Sequence, residues 1–420
     1  VDSSKKIANN YCGGIIMDDV WISWEKLDEL SMKNELIFFG ASEIAEKTLK
    51  KINKKPLFFI DNNKNKQGTK FHDIKIIAPN ELNNFENKFI IIINILAEHK
   101  KIESQLKDLG YELGINYFYS PKLKNQKIDK EIKNCRQTVL FTSSISPSEE
   151  KNKGGGLYEY NFENRRINKL HNGRFCQMKF HNNKLYVIDH YEGVKVFDES
   201  LNLVKTFNIL DWSVPHGIAI NKKEDKLYIA NTGLDSITVM DINSGEHIKE
   251  IKLCDYENDE FIFDKHHIND LYYRNGDLFI SMFSFSGMWK SGCYDGGIAK
   301  LDLKNEKIVS YPVNNMWMPH SVGFFGNEIV FVDSMRGDVY KTNNKVLTNI
   351  SGFVRGIDYD GKYYYIGQSE HRYFDRLKDI SNNIHINCGI HIFDAKTKAS
   401  RFHQLDHYIS NIHSVMVKDF

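Results

Sequence analysis

The sequence holds only 7 prolines in 420 residues, and it lacks a strong charge of either sign: 56 basic and 55 acidic side chains leave a net charge of +1. That balance excludes an overtly basic nucleic-acid binder. An aromatic content of 13% at so low a net charge excludes disorder as the main state. The six cysteines, at 12, 135, 176, 254, 293 and 388, form no CxxC pair. Zinc-finger and disulfide-framework folds are disfavoured, and a reducing cytoplasm is the expected compartment. Long apolar runs are missing as well. The longest, Phe89 to Leu96, is too short to cross a bilayer, and the opening VDSSKKIANN lacks the apolar core of a signal peptide. Neither nucleic acid nor membrane is an expected partner. Arginine is absent before Arg136, and all ten arginines lie from there onward.

What is present divides into two kinds of pattern. From Glu35 to about Tyr119 apolar runs alternate with helical spacing: LIFFG (36–40), ASEIAEKTLKKI (41–52), PLFFID (56–61), FIIIINI (89–95) and IESQLKDLG (102–110). Alternating strands and helices predict a parallel α/β sheet, with 89–95 a strand buried on both faces. Residues 1–34 read as an N-terminal extension. The polar, Lys-rich segment 120–136 reads as a linker to a second domain over 137–420.

In that second domain a strand–turn–strand unit recurs: CQMKFHNNKLYVID (176–189), HGIAINKKEDKLYIAN (216–231), NDLYYRNGDLFIS (269–281), HSVGFFGNEIVFVD (320–333) and RGIDYDGKYYYIG (355–367). HSVMVKDF (413–420) supplies a sixth first strand. Four third strands end in Asp, at 198, 241, 302 and 394. Repeats of this length with four strands each predict a six-bladed all-β propeller. Segments 138–144, 156–161 and 165–170 complete the sixth blade, so both ends of the domain close the ring and leave no free sheet edge.

The aligned first positions of the units form one predicted ring at the channel mouth: Cys176, His216, Asn269, His320, Arg355 and His413. Packing alone would be served by Val or Ala there. Nearby second-strand ends and loops add Asp189, His190, Asn231, His266, His267, Asp270, Asp333, Gln368, Glu370 and His371. Such a set predicts a small-molecule pocket. His216, Asn269 and His320 are candidate ligands for a divalent ion (Ca, Mg, Mn or Zn). His216, His320 and His413 are candidate bases and Arg355 an anion clamp. Asn231, His267, Asp270, Asp333, Glu370 and His371 are candidate substrate contacts. The stretches 282–289 with 293–297, and 369–377 through 388–390, are long excursions expected to wall the site. Cys176 reads either as a thiolate or as a small buried residue. The alternative for every ring residue is an internal hydrogen-bond network with ordered water.

In the first domain GASEIA (40–45) follows a strand and opens a helix, and Asp61 ends the next strand about 20 residues on. Gly40, Ser42 and Asp61 are the candidate nucleotide contacts. IFFGASEIAEKTL (37–49), FFIDNNKNKQG (58–68) and IKIIAPNEL (74–82) resemble the Rossmann-like module found beside sugar acyltransferases and some methyltransferases. That resemblance implies a nucleotide-sugar at the glycine turn. VPHGIAI (214–220) and HIND (267–270) are similar to strand starts of the gluconolactonase/SMP-30 and NHL propellers. The lactonase resemblance implies a catalytic divalent cation, with Asn269 and Asp270 at matching positions. HHIND, MPHSVGF and FVRGIDYDG look closer to an uncharacterised bacterial propeller family. The reading that follows is an α/β Rossmann-like domain (35–119) before a six-bladed propeller. Its expected activity is metal-assisted hydrolysis or lysis of a sugar or sugar-like acid. The alternatives are a non-catalytic module recognising a glycan, nucleotide-sugar or protein, and a scaffold whose histidines are structural.

Overall fold

The computed structural model describes residues 20–85, 89–144, 154–211, 213–253, 262–342, 345–378 and 383–419. The chain divides into two compact units, one ending at Lys133 and one starting at Asn134. Among the described residues no helix is long and apolar enough to cross a membrane.

The first unit is an α/β structure with a small mixed sheet. Its strands are β1 (Glu35–Phe39), β2 (Phe58–Ile60), β3 (Lys70–Phe71), β4 (Ile74–Ile77), β5 (Phe89–Ile93) and β6 (Tyr117–Tyr119), in the order β3-β4-β2-β1-β5-β6. All pairs are parallel except β3 with β4. The run LIFF alternates between two cores: Ile37 and Phe39 pack on one face, Leu36 and Phe38 on the other. A strand covered on both faces must be apolar throughout, which is why the run shows no alternation. The helices are α1 (Trp24–Lys33), α2 (Glu43–Leu49), α3 (His99–Asp108) and α4 (Pro121–Lys133).

Two boundaries differ from the sequence expectation. Residues 20–34 are not an appendage, because Val20, Ile22 and Leu27 are buried in the cores of this unit. The expected linker 120–136 is mostly α4, whose Pro121 occupies the first helical turn and whose Leu123 and Ile132 are buried. A sparse apolar stripe on a Lys-rich helix is enough to seat it against α2.

The second unit is a six-bladed propeller of six four-stranded antiparallel sheets. The innermost strands of blades one to five are Phe175–His181, Pro215–Asn221, Ile268–Arg274, Pro319–Phe325 and Phe353–Tyr359. Blade six takes its innermost strand, Ser414–Val417, from the end of the chain and pairs it with Thr138–Ser143, Gly156–Asn161 and Arg166–Asn172. The recurrent aspartates close the turn after each third strand. Asp198, Asp241, Asp302 and Asp394 accept the amides of Asn202, Asn243, Lys304 and Lys396, the side-chain mimic of a turn bond.

Each innermost strand of blades one to five slips register by one residue near its start. Such a bulge twists the strand and leaves amides without ladder partners. Side chains from neighbouring blades take them up. Gln177 Oε1 accepts from Ile218 N (2.7 Å) and Leu271 N (3.1 Å), Asp270 accepts from Ser321 N, and Ser321 Oγ accepts from Gly356 N (2.7 Å). Blades one to five are thereby stitched together at one level. The blades approach so closely here that a Cβ on Gly217 would lie 2.2 Å from the Asn269 carbonyl oxygen.

Candidate functional site

Cys176, His216, Asn269, His320, Arg355 and His413 lie at equivalent positions at the starts of the six innermost strands. Two of the histidines are fixed by the same device. His216 Nδ1–H points at the Val214 carbonyl (3.1 Å) and at Thr232 Oγ1 (2.7 Å), and the threonine hydroxyl donates to Ile268 O in the next blade (2.6 Å). His320 Nδ1–H points at Met318 O (2.9 Å) and Ser334 Oγ (2.7 Å), and that hydroxyl donates to Val354 O (2.6 Å). Val214 and Met318 hold these carbonyls in place with positive φ, 48° and 54°. Left-handed backbone at a β-branched residue is strained, and strain of this kind gathers at binding sites. Because Nδ1 carries the proton, the Nε2 lone pair of each ring is left available.

A cavity of ≈ 220 Å³ opens at this mouth, lined by His190, His216, His267, His413, Arg174, Arg355 and Arg372, with Tyr191, Tyr373, Asp264, Ser144 and Thr232. His413 Nε2 accepts from Arg355 Nη1 (3.2 Å) and contacts Ser144 Oγ (2.8 Å). His267 Nδ1 is bound to Asp264 Oδ1 (2.9 Å), and its ring lies 5.4 Å from that of His216. Burial holds His216 and His413 well below the usual imidazole range and lowers His190 to about 4, with neighbouring cationic groups adding to the effect. These rings are therefore neutral at pH 7. Arg355 stays charged, since burial lowers it only to about 10. Arg355 is 7% exposed, its Nε has no hydrogen-bond partner among the described residues, and its guanidinium stacks on Phe353 (4.8 Å). Among the described residues no carboxylate forms an ion pair with Arg174, Arg355 or Arg372.

Residues 209–418, blades two to five and the innermost strand of blade six, match the family described as Domain of unknown function (DUF4915). The chain belongs to this family. Residues 32–113 match the family described as C2185-like, N-terminal. A search of curated proteins finds no match. Among solved structures, a nidogen/laminin complex chain shares 12% identity, with 67% of this chain and 98% of that chain covered and a TM-score of 0.48. A protein of unknown function from Bacteroides caccae shares 11% identity over 68% of this chain and 100% of that one, with a TM-score of 0.48.

The DUF4915 span contributes His216, His267, Arg355, Arg372 and His413 to the cavity, while Arg174 and His190 come from blade one, outside it. Of the candidates read from sequence, His190, His216, His267, Arg355 and His413 line the cavity. His320 does not. It is 1% exposed, packed between Phe283 (5.1 Å) and Phe353 (5.9 Å), and its Nε2 has no partner. Asn269 is buried at its ring position without lining the cavity. Of the expected metal set His216, Asn269 and His320, only His216 lines the cavity. Cys176, His190 and His216 each bring one donor atom to a common point, all within 4.8 Å of one another.

The other candidates serve elsewhere. Asn231 bonds Ser236, Thr238 and Glu250 inside blade two. Asp333 accepts from Trp317 N, Arg336 N and the Arg336 guanidinium, closing a turn. His371 Nδ1 accepts from Tyr373 N, and Glu370 N donates to Ser410 O. Asp270 sits one residue deeper than the ring and lines a second cavity of ≈ 290 Å³ toward the opposite end of the channel, with Lys179 and Asp358. Burial raises its carboxyl to about 6. In the first unit Ser42 caps α2 by accepting from Ala45 N, Asp61 accepts from Ala41 N and Lys66 Nζ, and Gly40 (φ 100°) turns where a Cβ would strike Ile95. The polar groups of that turn are engaged with one another. Sequence reasoning missed Arg174, Tyr191, Asp264, Ser144 and Thr232, which stand on turns outside the repeat. Arg372 and Tyr373 lie in the 369–377 excursion expected to wall the site.

Proposed function

We propose that the propeller mouth binds a small organic anion, a sugar acid or sugar-like acid whose carboxylate is held by Arg355 and Arg372. The observation that carries this reading is Arg355, a buried guanidinium that, among the described residues, feels the Asp270 carboxylate but has none in ion-pair contact. A buried charge is costly unless paired, and an anionic ligand supplies the pair with bidentate geometry. Neutral imidazoles, tyrosines and hydroxyls around it suit a hydroxylated body. A volume of ≈ 220 Å³ lies below the span of drug-sized pockets and fits a compact ligand. The parallel strand order β4-β2-β1-β5-β6 supports reading the first unit as Rossmann-like. Titration calorimetry with glucuronate and, as the neutral control, glucose tests the anion reading. Glucuronate is expected to bind, glucose not, and Arg355→Gln to weaken binding about 100-fold. Equal binding of both sugars, or an unchanged Arg355→Gln, overturns it.

A second reading, turnover of that anion by hydrolysis or elimination, is favoured by the His267–Asp264 pair. A carboxylate bonded to one ring nitrogen fixes the tautomer and orientation of the imidazole, as a general base requires. Conversion of a bound sugar acid that is lost in His267→Gln while its binding is retained would support turnover.

A further inference from the structure

We infer that Cys176, His190 and His216 form a binding site for a thiophilic divalent ion, zinc foremost, in the wall of the cavity. Cys176 comes from the innermost strand of blade one, His190 follows the second strand of that blade, and His216 starts the innermost strand of blade two. Cys176 Sγ lies 3.7 Å from His190 Nδ1. A tetrahedral zinc with bonds of about 2.3 Å to sulfur and about 2.05 Å to nitrogen places those two atoms about 3.6 Å apart. All three donors already fall within 4.8 Å, so closing the set around one ion takes only a small movement.

The surroundings are those of a ligand set. His216 has its Nδ1–H committed to Val214 O and Thr232 Oγ1, and Thr232 is in turn fixed on Ile268 O. A metal-ligating imidazole is oriented in this way, its distal N–H held by a carbonyl or hydroxyl while the other nitrogen faces the ion. His190 is likewise hydrogen-bonded to the backbone of Pro215. Both rings are neutral near pH 7, the form that ligates. Burial raises the Cys176 thiol while the Arg355 charge lowers it, and a metal would displace its proton. One thiolate with two imidazoles favours zinc over calcium or magnesium, which take oxygen. Three protein donors leave a fourth position for water or a ligand oxygen, as in catalytic rather than structural zinc sites. His190 and His216 line the cavity, so that position opens where the anion is proposed to sit. The metal site does not depend on the anion reading.

The test is titration of the metal-stripped full chain with cobalt(II), read by the thiolate-to-cobalt charge-transfer band in the near ultraviolet, followed by displacement with zinc. The expected result is one equivalent bound with a thiolate band. Cys176→Ser should lose the band, and His190→Gln should weaken zinc about 100-fold or more. Absence of the band in the wild type overturns the site, as does its persistence in Cys176→Ser. Should Cys176→Ser fail to fold, unchanged zinc affinity in His190→Gln overturns it equally. Glucuronate binding in chelator is scored separately, so failure of one proposal is distinguishable from failure of the other.

Discussion

Blades two and four start with the same dipeptide, Pro–His, and hold that histidine by the same three hydrogen bonds. Their outcomes are opposite. His216 faces a cavity and two other potential ligand residues, while His320 faces the rings of Phe283 and Phe353. The innermost strand and its hydroxyl partner fix where the imidazole points. The residues that stand over it decide whether it meets solvent, a ligand or a core. Phe283 follows the second strand of blade three and covers His320 from there. One repeat device thus serves a site in one blade and packing in another.

The strongest test of this contrast is paired truncation. His320→Ala removes a fully packed ring and leaves the Ser334 hydroxyl without it, which should cost about 2–4 kcal/mol in chemical denaturation. His216→Ala, beside an open cavity, should cost about 1 kcal/mol or less while abolishing the cobalt band. Equal losses would break the comparison. Glycines give a second contrast. Gly217→Ala in blade two should cost about 1–3 kcal/mol, because its Cβ meets the backbone of blade three. Gly323→Ala in blade four, with nothing within 4 Å, should be near neutral.

Acid provides the next effect. Burial lowers His320 and His413 well below, and His371 to about 4. A histidine kept neutral in the fold but free to protonate when unfolded stabilises above the unfolded value of about 6.5, and that stability is lost as pH falls below it. Each such group contributes a slope of up to about 1.4 kcal/mol per pH unit. Asp270 and Asp333, raised by burial to about 6, act the other way, because the fold takes up their protons between about 6 and about 3.9. Unfolding measured against pH should therefore show stability falling once pH drops below about 6.5, with proton uptake by Asp270 and Asp333 offsetting part of that slope below about pH 6. His320→Gln should remove about one proton from that slope.

The smallest effect concerns the hydroxyls. Ser334→Ala and Thr232→Val should each cost about 1 kcal/mol. Only Thr232→Val should also weaken zinc, since it frees the ring of His216.

The ring was legible in sequence because its six residues occupy one slot of a repeat, and a repeat shows a residue type out of place for packing. The division of labour within the ring was not legible. His216 and His320 share the Pro–His step and the same bonding pattern, and what separates them is Phe283, reached from a different blade. Arg174, Asp264 and Thr232 lie on turns, where no periodicity marks which side chain returns to the channel. Asp333 looked like a substrate contact because it is an acid at a mouth-side strand end, yet it satisfies the amides of its own turn. In the first unit α4 looked like a linker because two or three buried apolar residues suffice to anchor a thirteen-residue helix, too few to raise its average above that of a polar loop.

Blade six has a further consequence, one of timing. Ser414 donates to Thr142 across 272 positions, so Thr138–Ser143 has no inner partner until nearly the whole propeller has been made. At ~5–20 residues per second, synthesis of that interval takes roughly 15–55 s. During this wait an apolar strand presents an unpaired edge, the feature that templates aggregation. The ring has no exposed seam once it is closed, but the nascent chain carries that seam for most of the domain's synthesis.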